Sequence, residues 1–114
     1  MKKQSALAIL AALAQDNRLD IFRLLVEAGP DGMPAGHIGA SLRLPPNALT
    51  FHLDRLRVAG LVNSRREGRS MIYAAQFEAM DLLVSYLTDH CCQGRPELCK
   101  PRVGKTARRI TVCP

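Results

Sequence analysis

Apolar positions along this chain recur at helical spacing for its first half and then change period. Residues 4–14, QSALAILAALA, combine strong helix formers with apolar side chains on nearly every side. A helix like that needs cover all round, and for so small a chain the expected cover is a second copy of the protein. Asp16 or Asn17 offers an N-cap. Leu19, Phe22, Leu25 and Val26 then carry a second helix through Glu27. Gly29-Pro30-Asp31-Gly32 is a loop by composition. Residues 35–42, AGHIGASL, make a short helix weakened by Gly36 and Gly39, and Leu42-Arg43-Leu44 turns the chain into Pro45–Gly60, PPNALTFHLDRLRVAG. Pro46 suits a first helical turn, where its missing N–H would be unpaired anyway. Gly60 suits a left-handed cap. Leu49, Leu53 and Leu56 share the buried face of this helix. A short helix, a tight turn and a capped second helix make a helix-turn-helix pattern.

After Gly60 the period becomes strand-like. Leu61–Ser64 and Met71–Ala74 flank Arg65-Arg66-Glu67-Gly68-Arg69-Ser70, which reads as a β-hairpin with a charged tip. A last helix is expected from about Gln76 to Cys92, with Met80, Val84, Leu87 and Cys91 on one face and Gly94 and Pro96 as its stop. The fold class is therefore mainly α with a small β-hairpin, a winged helix-turn-helix. The expected domain covers residues 1–99, followed by a basic tail, 100–114, without apolar period.

The helix over 45–60 turns Asn47, Thr50, Phe51, Asp54 and Arg55 away from its leucines. An amide, a hydroxyl and a guanidinium bond base edges or phosphates, and an aromatic edge meets a thymine methyl. Asn47, Thr50, Phe51, His52 and Arg55 are the candidate DNA-binding residues of this helix. Arg65, Arg66 and Arg69 are those of the hairpin, placed to meet phosphates beside the groove. The competing description of both is a solvated, charged surface.

Charge refines this picture. The chain of 114 residues is 47% hydrophobic and 23% charged, with net charge +6, the composition of one globular domain. Lys100, Arg102, Lys105, Arg108 and Arg109 supply five of those charges, leaving the first 99 residues at +1. DNA affinity of the folded part must then come from a local cluster rather than a global field. Met1-Lys2-Lys3 before the apolar run Ala6–Ala14 superficially resembles a secretory signal. The run passes straight into another helix, however, and falls far short of the ~20 residues that span a bilayer. No membrane partner is expected, and the four cysteines, crowded into the last quarter, fit a reduced cytoplasm. No nucleophile–base–acid set or phosphate loop is present, so an enzyme is not expected.

LAQDNRLDIFRLL, then LTFHLDRLRVAGLV, then the arginine-tipped hairpin resemble the ArsR/SmtB metalloregulatory repressors over roughly residues 5 to 90. Thr50-Phe51-His52-Leu53, Leu56 and Ala59-Gly60-Leu61-Val62 are the most specific part. The resemblance implies a homodimer closed by the first and last helices. It also implies binding to double-stranded operator DNA without a cofactor, and release when a toxic metal or metalloid binds. Many arsenic sensors of this family carry thiols in the first helix of the helix-turn-helix. Here that segment reads Gly36-His37-Ile38-Gly39-Ala40, without cysteine. The sensing region instead resembles an arsenic-responsive subgroup with a C-terminal cysteine pair and a third soon after, which here are Cys91, Cys92 and Cys99.

Chemistry alone leaves the ligand open. Three thiolates suit trivalent arsenic or antimony, as arsenite or antimonite, but soft thiolates also take Cu(I), Cd or Zn. Zinc usually wants four ligands, and His90 or Cys113 would complete such a set; Pb is a further divalent alternative. Thiol redox sensing would use the same residues. An architectural DNA-binding role, or an adaptor role for the winged fold, would not use them at all. Buried cysteine as a small hydrophobe accounts for Cys91 on the expected stripe but not for Cys92 and Cys99.

Overall fold

The computed structural model describes residues 1–89 and 91–95. Its elements are α1 (Lys3–Leu13), α2 (Asp16–Ala28), β1 (Met33–Pro34), α3 (Ala35–Leu42), α4 (Pro46–Val58), β2 (Val62–Glu67), β3 (Ser70–Ala75) and α5 (Phe77–Leu87), followed by a 3₁₀ turn at Cys91–Gly94. Mainly helical, with a small antiparallel sheet, this is a winged helix-turn-helix.

Local chemistry sets the boundaries. At the start of α2 the cap is neither Asp16 nor Asn17. Gln15 takes that place, its side-chain oxygen accepting from the Arg18 backbone N–H at 2.9 Å. Arg43 closes α3 in the left-handed region, φ 56°, and the Leu44 N–H returns to the Gly39 carbonyl at 3.0 Å. Gly39 itself is a contact surface rather than a weakness. A Cβ there would stand 3.2 Å from a Leu49 methyl and 3.3 Å from the Leu44 carbonyl oxygen, so its absence lets α3 close on α4. The far end of α4 is a Schellman cap. Gly60, φ +85°, donates to the Arg57 carbonyl, and Leu61 donates to the Leu56 carbonyl, both at 3.0 Å. Leu56 and Leu61 are wholly buried, so the cap also delivers the chain into the sheet over an apolar contact.

The sheet has the order β1-β3-β2, with one strand more than the expected hairpin. Met33 and Pro34 of β1 pair with Tyr73 and Ile72. The β2–β3 pairing runs from Val62 against Ala75 to Glu67 against Ser70, leaving Gly68 and Arg69 as the tip. The core gathers Ile21 and Leu25 of α2, Ile38 of α3, Leu53 and Leu56 of α4, and Leu61, all under 2% exposed. Truncating a leucine so enclosed costs about 2–5 kcal/mol, which makes this cluster the platform under the reading helix.

Two apolar helices are only partly covered by it. From α1, the small Ala6 and Ala12 point inward with Ile9, while Leu7 and Leu10 stay exposed. From α5, only Leu83 is buried, and Leu82, Tyr86 and Leu87 are exposed. The last helix also ends earlier than its periodicity predicts. Thr88 stops it, its hydroxyl and its backbone N–H both donating to the Val84 carbonyl at 2.7 and 3.1 Å. A side chain that bonds the backbone this way competes with helix continuation. No helix among the described residues is long and apolar enough to cross a membrane.

Candidate nucleic-acid interface

Helix α4 is held from below by Leu49, Leu53 and Leu56 and presents the opposite side to solvent. Asn47, Thr50, Phe51 and Arg55 are all exposed there. The Thr50 hydroxyl donates to the Pro46 carbonyl at 2.8 Å. Its one proton is thus used within the helix, and it faces outward with acceptor lone pairs only. Phe51 is 55% exposed, an unusual position for a large aromatic residue. The Arg55 guanidinium lies over its ring at 5.5 Å from the centroid. Asp54, on the same side, is engaged by Arg57 at 2.7 Å and does not compete for Arg55.

His52, expected among the DNA contacts, lies elsewhere. It is only 8% exposed, one step round the helix from Phe51, whose ring it meets edge-on at 5.6 Å. Its Nδ1 faces Arg18 NH1 at 3.5 Å. A guanidinium has no lone pair to offer, so Nδ1 is the acceptor and the ring proton sits on Nε2. Burial first, then the positive charge of Arg18, pushes the His52 pKa below its ordinary value. The neutral ring is a structural element of the helix flank.

Arg18, which the sequence did not single out, ties three helices together. Beyond its contact with His52 on α4, its Nε donates to the Ala12 carbonyl of α1 at 2.8 Å, and its backbone N–H is the one that Gln15 caps. It also lines a groove of about 260 Å³ between α1 and the end of α4, with Arg55 and Val58 on the far wall.

On the wing, the three arginines do different things. The register puts Arg65 and Glu67 on one face of β2 and Arg66 on the other. Arg65 donates from Nε to Glu67 at 2.7 Å and from NH2 to the Asp31 carbonyl at 2.8 Å, so it braces the wing against the loop before β1. Arg66 and Arg69 are exposed and have no partner among the described residues. Arg43, in the turn between α3 and α4, is a third exposed guanidinium of that kind, and its left-handed backbone was not foreseeable from a composition rule.

The sulfur ligands are placed only in part. Cys91 and Cys92 lie in the 3₁₀ turn after α5 rather than on the helix, so Cys91 does not continue the stripe of Met80, Val84 and Leu87. Cys99, His90 and Cys113 lie outside the described residues, as does the basic tail.

Comparison with known proteins agrees with the architecture. Residues 6–65 match the helix-turn-helix domain family. The chain is 33% identical over 95 residues to the transcriptional activator HlyU of Vibrio cholerae, covering 82% of this chain and 85% of that protein. It is 32% identical over 83 residues to the putative arsenical resistance operon repressor ArsR2 of Halobacterium salinarum, covering 73% and 68%. Among solved structures, reduced HlyU from V. cholerae superposes with a TM-score of 0.61 at 31% identity over 79% of this chain and 92% of that one. An ArsR-like regulator from Rhodococcus gives 0.66 at 26% over 74% and 76%. With a buried leucine platform, an exposed polar face on the second helix of the motif and a cationic wing beside it, the chain belongs to the ArsR/SmtB-type winged helix-turn-helix transcriptional regulators.

Proposed function

We propose that this regulator is a homodimeric repressor that leaves its operator when trivalent arsenic or antimony binds Cys91, Cys92 and Cys99. The observation that carries the reading is the order of parts at the end of the chain. An α5 with exposed Leu82, Tyr86 and Leu87 is followed, after a stop at Thr88, by a turn bearing two adjacent cysteines. The exposed apolar residues of α1 and α5, two helices in mutual contact, supply the self-associating surface. Two copies joined there hold their α4 helices over successive major grooves, ~34–36 Å apart. A soft ion gathering the thiols pulls on the end of α5 from outside the helix. It need disfavour the DNA-bound arrangement by only about 1–3 kcal/mol to be felt, with more for a complete switch. The likeness to a putative arsenical resistance repressor supports the choice of metalloid.

The test is operator release titrated with arsenite, antimonite, cadmium and zinc under reducing conditions. Ser replacement at Cys91, Cys92 or Cys99 leaves DNA binding intact and abolishes release by arsenite, whereas Cys113→Ser releases at nearly the wild-type concentration. Dependence on Cys113 with Cys99 dispensable overturns the ligand set and favours a four-coordinate divalent site with His90. A second reading, thiol redox sensing, is favoured by the likeness to a protein whose structure is described as its reduced form. It is distinguished by release with oxidant alone, reversed by dithiol.

A further inference from the structure

Phe51 is the one side chain on the reading face whose exposure is costly in water and has no structural return. It is 55% exposed, touches the core nowhere, and is flanked by Arg55 on one side and the His52 ring edge on the other. Those two neighbours fix its orientation. In turn, its ring fixes Arg55, whose guanidinium makes no ion pair among the described residues and would otherwise sample many rotamers. Asp54, the acid nearest in sequence, is already neutralised by Arg57. The result is a flat apolar ring and a planar five-donor fork held side by side on the solvent face of a groove-reading helix.

Each half has one matching chemistry in a major groove. The ring matches the C5-methyl of thymine, the apolar group the groove exposes, and the fork matches the O6 and N7 acceptors of guanine. The guanidinium carbon stands 5.5 Å from the ring centroid. Stacked bases on a strand are about 3.4 Å apart, so ring and fork reach neighbouring bases. We infer that Phe51 and Arg55 act as one unit that reads a thymine adjacent to a guanine in each half of the operator. The inference rests on the operator-binding reading above and names what α4 recognises there.

The experiment uses the full chain and a duplex enriched by the wild-type protein from a randomised library. Each thymine is replaced singly by deoxyuridine, which removes only the methyl, and each guanine by 7-deazaguanine, which removes only N7. One deoxyuridine weakens wild-type binding about fourfold, as loss of one buried methyl does, and has no effect on Phe51→Ala. One 7-deazaguanine on a neighbouring base weakens wild type within the range of about 5- to 150-fold set by a bidentate contact. It weakens Arg55→Lys, which keeps the charge but loses the fork, far less. Phe51→Ala also blunts the guanine effect, because the unsupported fork is no longer held. Thermal melts confirm that both variants, exposed positions each, remain folded. Neutral substitution at every thymine and guanine overturns the inference, as do effects that persist unchanged in the variants or fall on separated bases. Failure of the wild type to enrich any duplex removes the operator-binding reading itself, a different result.

Discussion

Replacing Arg66 and Arg69 together by Ala separates the wing's free charges from its structural one. Both side chains are exposed without a partner, whereas Arg65 spends its guanidinium on Glu67 and on the Asp31 carbonyl. On B-DNA each neutralised phosphate contributes about 0.9 to the slope of log affinity against log salt. Two arginines on each of two wings therefore contribute up to about 3.6, which between 50 and 200 mM salt is a differential of about 150-fold. Fluorescence anisotropy of a labelled operator duplex across that range reads the slope directly. The double variant flattens it by two to four units, roughly the number of phosphates released. Arg65→Ala changes the slope by less than one unit per protomer but lowers the melting temperature, because the brace between β2 and the loop before β1 is gone. An unchanged slope in the Arg66/Arg69 double variant refutes the wing contact. A larger slope change for Arg65→Ala than for that variant refutes the division of labour read from the hydrogen bonds.

His52 makes stability depend on pH, with a definite sign. Its native pKa is lowered, so below about pH 6.5 the unfolded chain takes up a proton that the native ring refuses. That contribution is fully present above pH 6.5, declines as pH falls, and levels off below the lowered native pKa. Urea unfolding from pH 7.5 to 5 shows a steeper loss for wild type than for His52→Gln, and identical profiles refute the assignment. Gly32 stands where β1 approaches β3, at φ +73°, and an added Cβ would overlap the Tyr73 carbonyl oxygen. Gly32→Ala costs more than the about 1–3 kcal/mol of backbone strain alone. Gly29→Ala, also at positive φ but with nothing within 4 Å, costs only the strain. Equal denaturation midpoints for the two variants contradict the close approach.

Much of this architecture was legible because it repeats. The stripe Leu49, Leu53, Leu56 and the punctuation of Pro46 and Gly60 gave α4, and residues 35–42 gave α3 with the bounds later observed. What escaped has partners far away in sequence. Met33-Pro34 carries no alternation of its own, and only pairing with Tyr73 and Ile72 makes it a strand. His52 looks like any polar residue on a helix until Arg18, thirty-four positions earlier, is packed against it. Arg65 looks like its two neighbours until the Asp31 carbonyl, equally distant in sequence, claims it. The end of α5 failed for the opposite reason. A heptad-like count runs on to Cys91, but Thr88 bonds back to Val84 and stops the helix first.

The single guanidinium of Arg18 has a bearing on how this surface tolerates change. One rigid plane meets the Ala12 carbonyl and the His52 ring, so the tip of α1 and the flank of α4 keep their distance through the same atoms. Positions 18 and 52 then do not vary independently. Losing either leaves the other with a buried polar group to satisfy, so the first substitution carries most of the penalty and the second little more. A change on α4 that trades His52 for an apolar residue calls for a companion at position 18. Diversification of the reading helix is thereby steered toward Asn47, Thr50, Phe51 and Arg55, which answer to no such joint, and DNA preference is free to drift while the frame beneath it stays fixed.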